Sequence, residues 1–272
     1  MKQENIFTNL IYYIKIYIMV ASQYIKGRLQ YRADFFLSIF GMLLINTSGF
    51  AGVWVIMQNI HQIAGWTYYE LMFLYGFSTL AMAPQQLFLD NAWQLSDKIV
   101  NGEFIKYCFR PINILFYYMS ETIDIKGISQ LIIGSIILIW SWIKLDIPFT
   151  ILNGFMFIFL YIGATFVCMG LIILFSSFGF MGGGTNSALF MAADLKDYSK
   201  YPLTIFNKFF RGLFTVILPL GFIAYYPAQY FISNGNDISI LTYFSTVFGG
   251  LFFFIACKTW IHFASRYSGT GS

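Results

Sequence analysis

Long runs without Asp, Glu, Lys or Arg divide this chain into apolar stretches joined by short polar connections. About 20 apolar residues in a helix cross the hydrocarbon core of a bilayer, so the runs read as membrane spans. Residues 35–60 carry no charge and predict a first transmembrane helix. Residues 71–89 predict a second, with Pro84 near its inner end. Residues 112–142 predict a third, interrupted by Glu121, Asp124 and Lys126. No charge falls between Ile147 and Ala193, and the Gly- and Ser-rich SSFGFMGGGTNS confines the fourth helix to 152–175, with a loop after it. Residues 204–218 and 238–261 complete six. Pro219, Gly221 and Pro227 punctuate the stretch between these last two. An interior proline removes a hydrogen bond and kinks a helix, so 219–233 is expected to be a short broken or re-entrant segment at the outer face. A simple kinked helix is the alternative. Irregular backbone at that depth persists only where protein shields it or where it lines a wet cavity.

Residues 5–27 have a different pattern. At 100° per residue, Thr8, Lys15, Ser22 and Lys26 form a narrow polar stripe on a surface otherwise of Ile, Tyr, Leu and Met. Such a helix lies in the headgroup layer, its lysines toward the anionic inner leaflet. As a seventh span it would hold Lys15 in mid-membrane at a cost of roughly 2.5–3.5 kcal/mol. Lys15 breaks the first apolar run and no small-residue cleavage site follows, so no cleavable signal peptide is expected. The terminal SGTGS, 268–272, has the character of a cloning scar.

Composition agrees with the pattern. Hydrophobic residues make up 58% of the 272 and charged residues 10%, against about 25% charged in a soluble domain. Mean hydropathy is +0.67. The fold class is therefore all-α, a polytopic membrane protein. The 32 Phe and 19 Tyr exclude a disordered chain, and 3 Cys exclude a disulfide scaffold. A net charge of +4, scattered along the chain, excludes a nucleic-acid binder. Lys and Arg mark cytoplasmic loops. With the N-terminus inside, Lys144 is the basic residue left in an outer loop and Lys126 sits in or beside a span. Both termini are expected in the cytoplasm and the chain in the plasma membrane.

Two connections and one cluster carry the candidate chemistry. Over 91–107, helical geometry puts Trp93, Ser96, Val100 and Phe104 on one face and Gln94, Asp97, Lys98 and Asn101 on another. Asn101-Gly102 is a natural helix stop. A short amphipathic helix in an inner loop rests on lipid or docks into a groove of a soluble partner. The loop AADLKDYSKYPLTIFNKFFRG, before the fifth span, reads as a solvated inner surface. Glu121, Asp124 and Lys126 are a polar site within the membrane, since ionisable groups there are functional by default, or an ion pair with a basic residue at the inner interface. Gly163 and Gly170, two turns apart, suggest a close helix contact.

Several chemistries lack their motifs. No G-x-x-x-x-G-K-[ST] phosphate loop occurs, nor G-x-S-x-G, H-E-x-x-H or C-x-x-C. His61 and His262 are expected on opposite sides of the membrane. The chain is not expected to be an enzyme, to hold a cofactor or to bind a metal.

The order of features resembles the six-helix permease subunits of type-two ATP-binding-cassette (ABC) exporters, in the branch with separate ATPase chains. The resemblance rests on LQYRADFFLSIFG leading into the first span. It rests also on W-x-L-x-x-x-I-x-x-G-x-F at Trp93, Leu95, Ile99, Gly102 and Phe104, followed by Arg110-Pro111. A third part is Tyr201-Pro202, Arg211, Pro219 and Pro227-Ala228 in YPLTIFNKFFRGLFTVILPLGFIAYYPAQYFI. It implies two ATPase subunits carrying ATP and Mg, and a second permease that is either this chain or a homologue. It also implies coupling to the ATPase through Trp93, Asp97, Lys98, Val100 and Phe104, an interfacial N-terminal helix, and an outer re-entrant element at Pro219, Gly221 and Pro227. The first and fifth spans would form the dimer seam. A hydrophobic or amphipathic cargo would move by alternating access. The alternative is an ion-coupled transporter or channel using Glu121 and Asp124.

Overall fold

The computed structural model describes residues 6–30, 32–60, 62–181, 186–233 and 238–267. His61 and the 268–272 tail lie outside them. Among the described residues the fold is helical, with no strand beyond an isolated bridge between Ile63 and Trp66.

Five long helices stand in a row: α2 (Arg32–Asn59), α7 (Lys126–Lys144), α3 (Tyr68–Phe88), α8 (Ile151–Ser176) and α12 (Ile240–Ser265), each packed on the next. Two glycine seams bring their backbones together. A Cβ on Gly76 would meet the Leu138 nitrogen at 2.8 Å, and one on Gly134 the Leu80 nitrogen at 2.8 Å, so α3 and α7 touch main chain to main chain. A Cβ on Gly163 would meet the Thr246 Cα at 2.5 Å, which joins α8 to α12. Without a hydrophobic drive inside lipid, such close approach is what holds helices together.

By length and composition, Phe36–Gln58, Lys126–Lys144, Ile151–Met181 and Ile240–Ser265 can cross a membrane, and a bent pair makes up to five. The count of six from the sequence therefore exceeds what composition supports here. The helix that falls short is α3, and the reason is burial. Leu71 to Ala83 are all enclosed between neighbouring helices, so its polar residues meet protein instead of lipid. Its first turn is fixed by Glu70, whose carboxylate accepts from the Thr67 amide at 2.7 Å and hydroxyl at 2.9 Å.

The expected single helix over 112–142 is two: α6 (Ile114–Ser120) and α7, with a non-helical link between. Competing hydrogen bonds explain the break. The Asp124 amide donates to the Leu87 carbonyl at the end of α3 (3.2 Å), and the Asp124 carboxylate accepts from the amide of Lys126, where α7 begins (3.1 Å). Gly127 then rests on the Ala83 carbonyl and Leu87, where no side chain fits.

The stretch expected as a solvated inner loop is also placed differently. After α8, a tight turn runs to Met181, and α9 (Ser187–Asp197) climbs back along α8. The Lys196 Nζ donates to Gln85 Oε1 in α3, and the Ser199 hydroxyl bonds that of Ser78 at 2.7 Å. Ser78 is the central residue of α3, so this segment enters the helix row. Its small residues Ala192 and Ser199 allow that approach, and both are buried. The helix expected over 204–218 is reduced to α10 (Lys208–Val216), whose axis is bent by 72° from the Leu220–Ile232 stretch that contains α11 (Tyr225–Ile232).

The N-terminal α1 (Ile6–Leu29) exposes Lys15, Ser22 and Lys26 and buries Ala21. Tyr13 packs on Phe116 (ring centroids 4.9 Å apart) and Tyr17 on Phe88 (5.9 Å), so the helix lies against α6 and the Phe88 end of α3.

Candidate functional site

The connection from α3 to α6 is a folded platform. A tight turn over Asp90–Gln94 leads into α4 (Leu95–Val100), which stops where the glycine of Asn101-Gly102 takes φ 73°. The left-handed region suits glycine because it lacks a Cβ. The Phe104 amide reaches back to the Lys98 carbonyl at 3.0 Å, and α5 (Ile105–Cys108) follows. Asn113 then caps α6, its side chain accepting from the Phe116 amide at 3.0 Å.

The five coupling residues implied by the resemblance do not share one surface. Phe104 is wholly enclosed, in ring contact with Tyr107, Tyr118, Phe180, Trp260 and Tyr267. It anchors the platform and presents no surface of its own. Trp93 is half-buried and packs on Phe190 of α9, ring centroids 5.1 Å apart. Asp97 and Val100 are exposed. Phe109 is 78% exposed; its place beside Arg110-Pro111 gives no sign of that in the sequence.

Lys98 is a structural member of the platform. Its Nζ donates to Glu121 Oε2 (2.7 Å), Asn91 Oδ1 (2.9 Å) and the Tyr107 hydroxyl (3.1 Å). Lys106 reaches the other Glu121 oxygen at 3.2 Å, and the Tyr107 hydroxyl also donates to Glu121. Tyr118 donates to the Asn91 carbonyl at 2.8 Å. Burial alone would push the Glu121 carboxyl up. The hydrogen bonds from Lys98 and Tyr107, with the charges of Lys98 and Lys106, outweigh it and hold the group at about 2. Burial first, then the neighbouring carboxylate, raises Tyr107 far above its ordinary value, so it stays a donor.

Glu121 and Asp124 thus do not share a helix face. Asp124 is buried, accepts from Gln86 at 2.6 Å and lies 3.7 Å from Lys126. Opposite charges on either side of the Arg110-Pro111 turn were the one sequence sign of the Lys98–Glu121 tie. Among the described residues no group of His, Cys, Asp and Glu could hold a metal.

At the other end, Gly221 sits where a Cβ would collide with Leu203 (2.6 Å) and Tyr226 (2.9 Å). Phe222 stacks on Phe248 at 5.0 Å, and Thr242 of α12 donates to the Tyr226 carbonyl at 3.1 Å. Pro219 stands between α10 and the tight turn Leu220–Phe222. Pro227 occupies the first turn of α11, where a missing amide costs little.

A row of helices long and apolar enough to span a bilayer, with a folded platform after its buried central helix, defines the class as a helical membrane protein. The family model described as ABC-2 family transporter protein matches residues 42–271, and the chain belongs to that family. It is the membrane component of an ABC transporter, without a catalytic role of its own, and its family works with an ATPase partner. No curated protein and no solved structure gives a match.

Proposed function

We propose that the chain is one permease subunit of an exporter, coupled to a separate ATPase chain through the exposed surface of α4. The observation that carries this reading is the platform itself. Phe104 and the Lys98–Glu121 tie hold it rigidly on the helix row while Asp97 and Val100 face outward. A rigid projection transmits a push from a partner groove, where a loose loop would absorb it.

In this reading α3 is a sixth transit sheathed by protein, and α9 to α11 together make the broken fifth. An even number of transits leaves both termini on one side, and the Lys and Arg distribution puts that side in the cytoplasm. The helix α1 lies at the inner interface, and the bent segment at Pro219, Gly221 and Pro227 is re-entrant and closes the outer end. Two ATPase subunits, holding ATP and Mg, act on this chain and a second permease, itself or a homologue. The cargo is hydrophobic or amphipathic and moves outward by alternating access. The ion-coupled alternative has weaker support, because Glu121 and Asp124 are both engaged by neighbouring side chains.

Asp97 and Val100 give the test. The double variant Asp97→Lys, Val100→Asp should lower ATPase retention on the purified permease about tenfold, roughly 1.4 kcal/mol. The melting temperature of the permease alone should stay put, because exposed substitutions change stability by within about 0.5 kcal/mol. Undiminished retention of a fully coupled ATPase would remove α4 as the docking surface.

A further inference from the structure

The depth of α9 conflicts with its chemistry in a way that assigns it a role. Its first turns stand at the platform, where Phe190 meets Trp93. Its far end reaches the middle of the row, where Ser199 bonds Ser78 and the Lys200 ammonium lies 5.6 Å from the centre of the Tyr75 ring. Lys196 turns inward to Gln85. Asp197, two residues before Ser199, turns outward: its side chain is 59% exposed and pairs with Lys200 at 2.9 Å. Tyr201 beside it is 43% exposed.

An exposed carboxylate at mid-depth cannot face hydrocarbon without a cost of at least roughly 2.5–3.5 kcal/mol. Ionisable groups inside a membrane face the bundle interior or a water-filled cavity, and this group stands outside the packed interior of its own chain. We infer that the outward face of the segment Asp197–Tyr201, the end of α9 and the turn after it, lines the water-filled translocation pathway. The Asp197–Lys200 pair and the Tyr201 hydroxyl are then the groups that meet the polar part of an amphipathic cargo. The apolar part can travel along the exposed Phe190 and Met191. The inference rests on the reading of α3 as a transit. It moves the pathway wall from the apolar helices onto a segment whose charges resemble a cytoplasmic loop.

Cysteine accessibility in the intact complex tests it. In a background with Cys108, Cys168 and Cys257 replaced by serine or alanine, single Tyr201→Cys and Ile158→Cys variants are exposed to a membrane-impermeant, charged methanethiosulfonate. Ile158 on α8 is 59% exposed beside the exposed Phe155 and Ile162, and it serves as the lipid-facing reference. Tyr201→Cys should react at least about tenfold faster than Ile158→Cys, since thiolate forms only where water reaches. Asp197→Asn, added to Tyr201→Cys, should change the ratio of cationic to anionic reagent rates and leave both faster than the reference. Equal, slow labelling at the two sites would overturn the inference. Tyr69→Cys and Gln94→Cys, near the two ends of α3, separate this from failure of the transit reading. Labelling from opposite sides keeps α3 as a transit whatever Tyr201 does, and labelling from one side removes the transit itself.

Discussion

Replacing Gly249 by valine is expected to unseat α12 from α8 and to give the largest stability loss of any single substitution in the helix row. A Cβ at this position lands inside the van der Waals shell of the Gly163 carbonyl oxygen, 2.9 Å from its carbonyl carbon and 3.1 Å from its Cα. Those are backbone atoms of a helix and cannot rotate away, so the helices themselves must separate. Separation also strains the 2.6 Å bond from the Thr246 hydroxyl to the Phe159 carbonyl. Overpacking of this kind costs about 1–3 kcal/mol, sometimes more, and two β-branched methyls against main chain belong at the upper end. For a chain of this size about 3 kcal/mol corresponds to a fall of roughly 6–12 °C in melting temperature. Tryptophan fluorescence in detergent would read it. Gly250→Val is the control, since a Cβ at Gly250 meets nothing within 4 Å.

The second large effect is expected from Lys98→Met. The variant keeps the length of the stem and removes the cation that meets Glu121 at 2.7 Å. The pair is intermediate in exposure, 12% and 36% for the two side chains, so its loss falls between an exposed pair at 0–1 kcal/mol and a buried one at 3–5 kcal/mol. About 1–2 kcal/mol, or roughly a 5–30-fold rise in the open platform, should appear as faster limited proteolysis over 91–107. Glu121→Gln should act similarly, and the double variant should cost less than the sum, as partners in one network do. The pH dependence has a definite sign. The Glu121 carboxyl is depressed from 4.5 to about 2, so the folded state binds fewer protons there than the unfolded one. Its contribution is full above pH 4.5 and is lost as pH falls through about 2. In Lys98→Met that loss should move toward pH 4.5.

Run length was legible wherever a helix meets lipid. The charge-free 35–60 and 152–175, and 238–261 with Lys258 alone near its end, lie over Arg32–Asn59, Ile151–Ser176 and Ile240–Ser265, because a lipid-facing surface must be largely apolar. The charge-free 71–89 lies over Tyr68–Phe88 as well, although protein encloses that helix from Leu71 to Ala83. The rule fails for α9. There, Lys196 and Asp197 read as a solvated loop, although Lys196 is enclosed and Asp197, 59% exposed, adjoins a turn bonded to the middle of α3. The break between α6 and α7 was invisible for a related reason. Its cause, the Asp124 amide on the Leu87 carbonyl, joins residues far apart in sequence. Within the platform, helical periodicity put Phe104 on the Trp93 face. The turn at Gly102 ends that helix early and swings Phe104 into the aromatic cluster. The stop at Asn101-Gly102 is legible in the sequence, and the turn of the side chains beyond it is not.

The most direct test of the central claim is purification of the chain from native membranes in mild detergent, with mass spectrometry of whatever stays bound. The account predicts a stoichiometric soluble ATPase with a phosphate loop, and a permease stoichiometry that shows whether the second subunit is this chain or a homologue. Recovery of the chain without any ATPase, in several detergents and in nanodiscs, would contradict it.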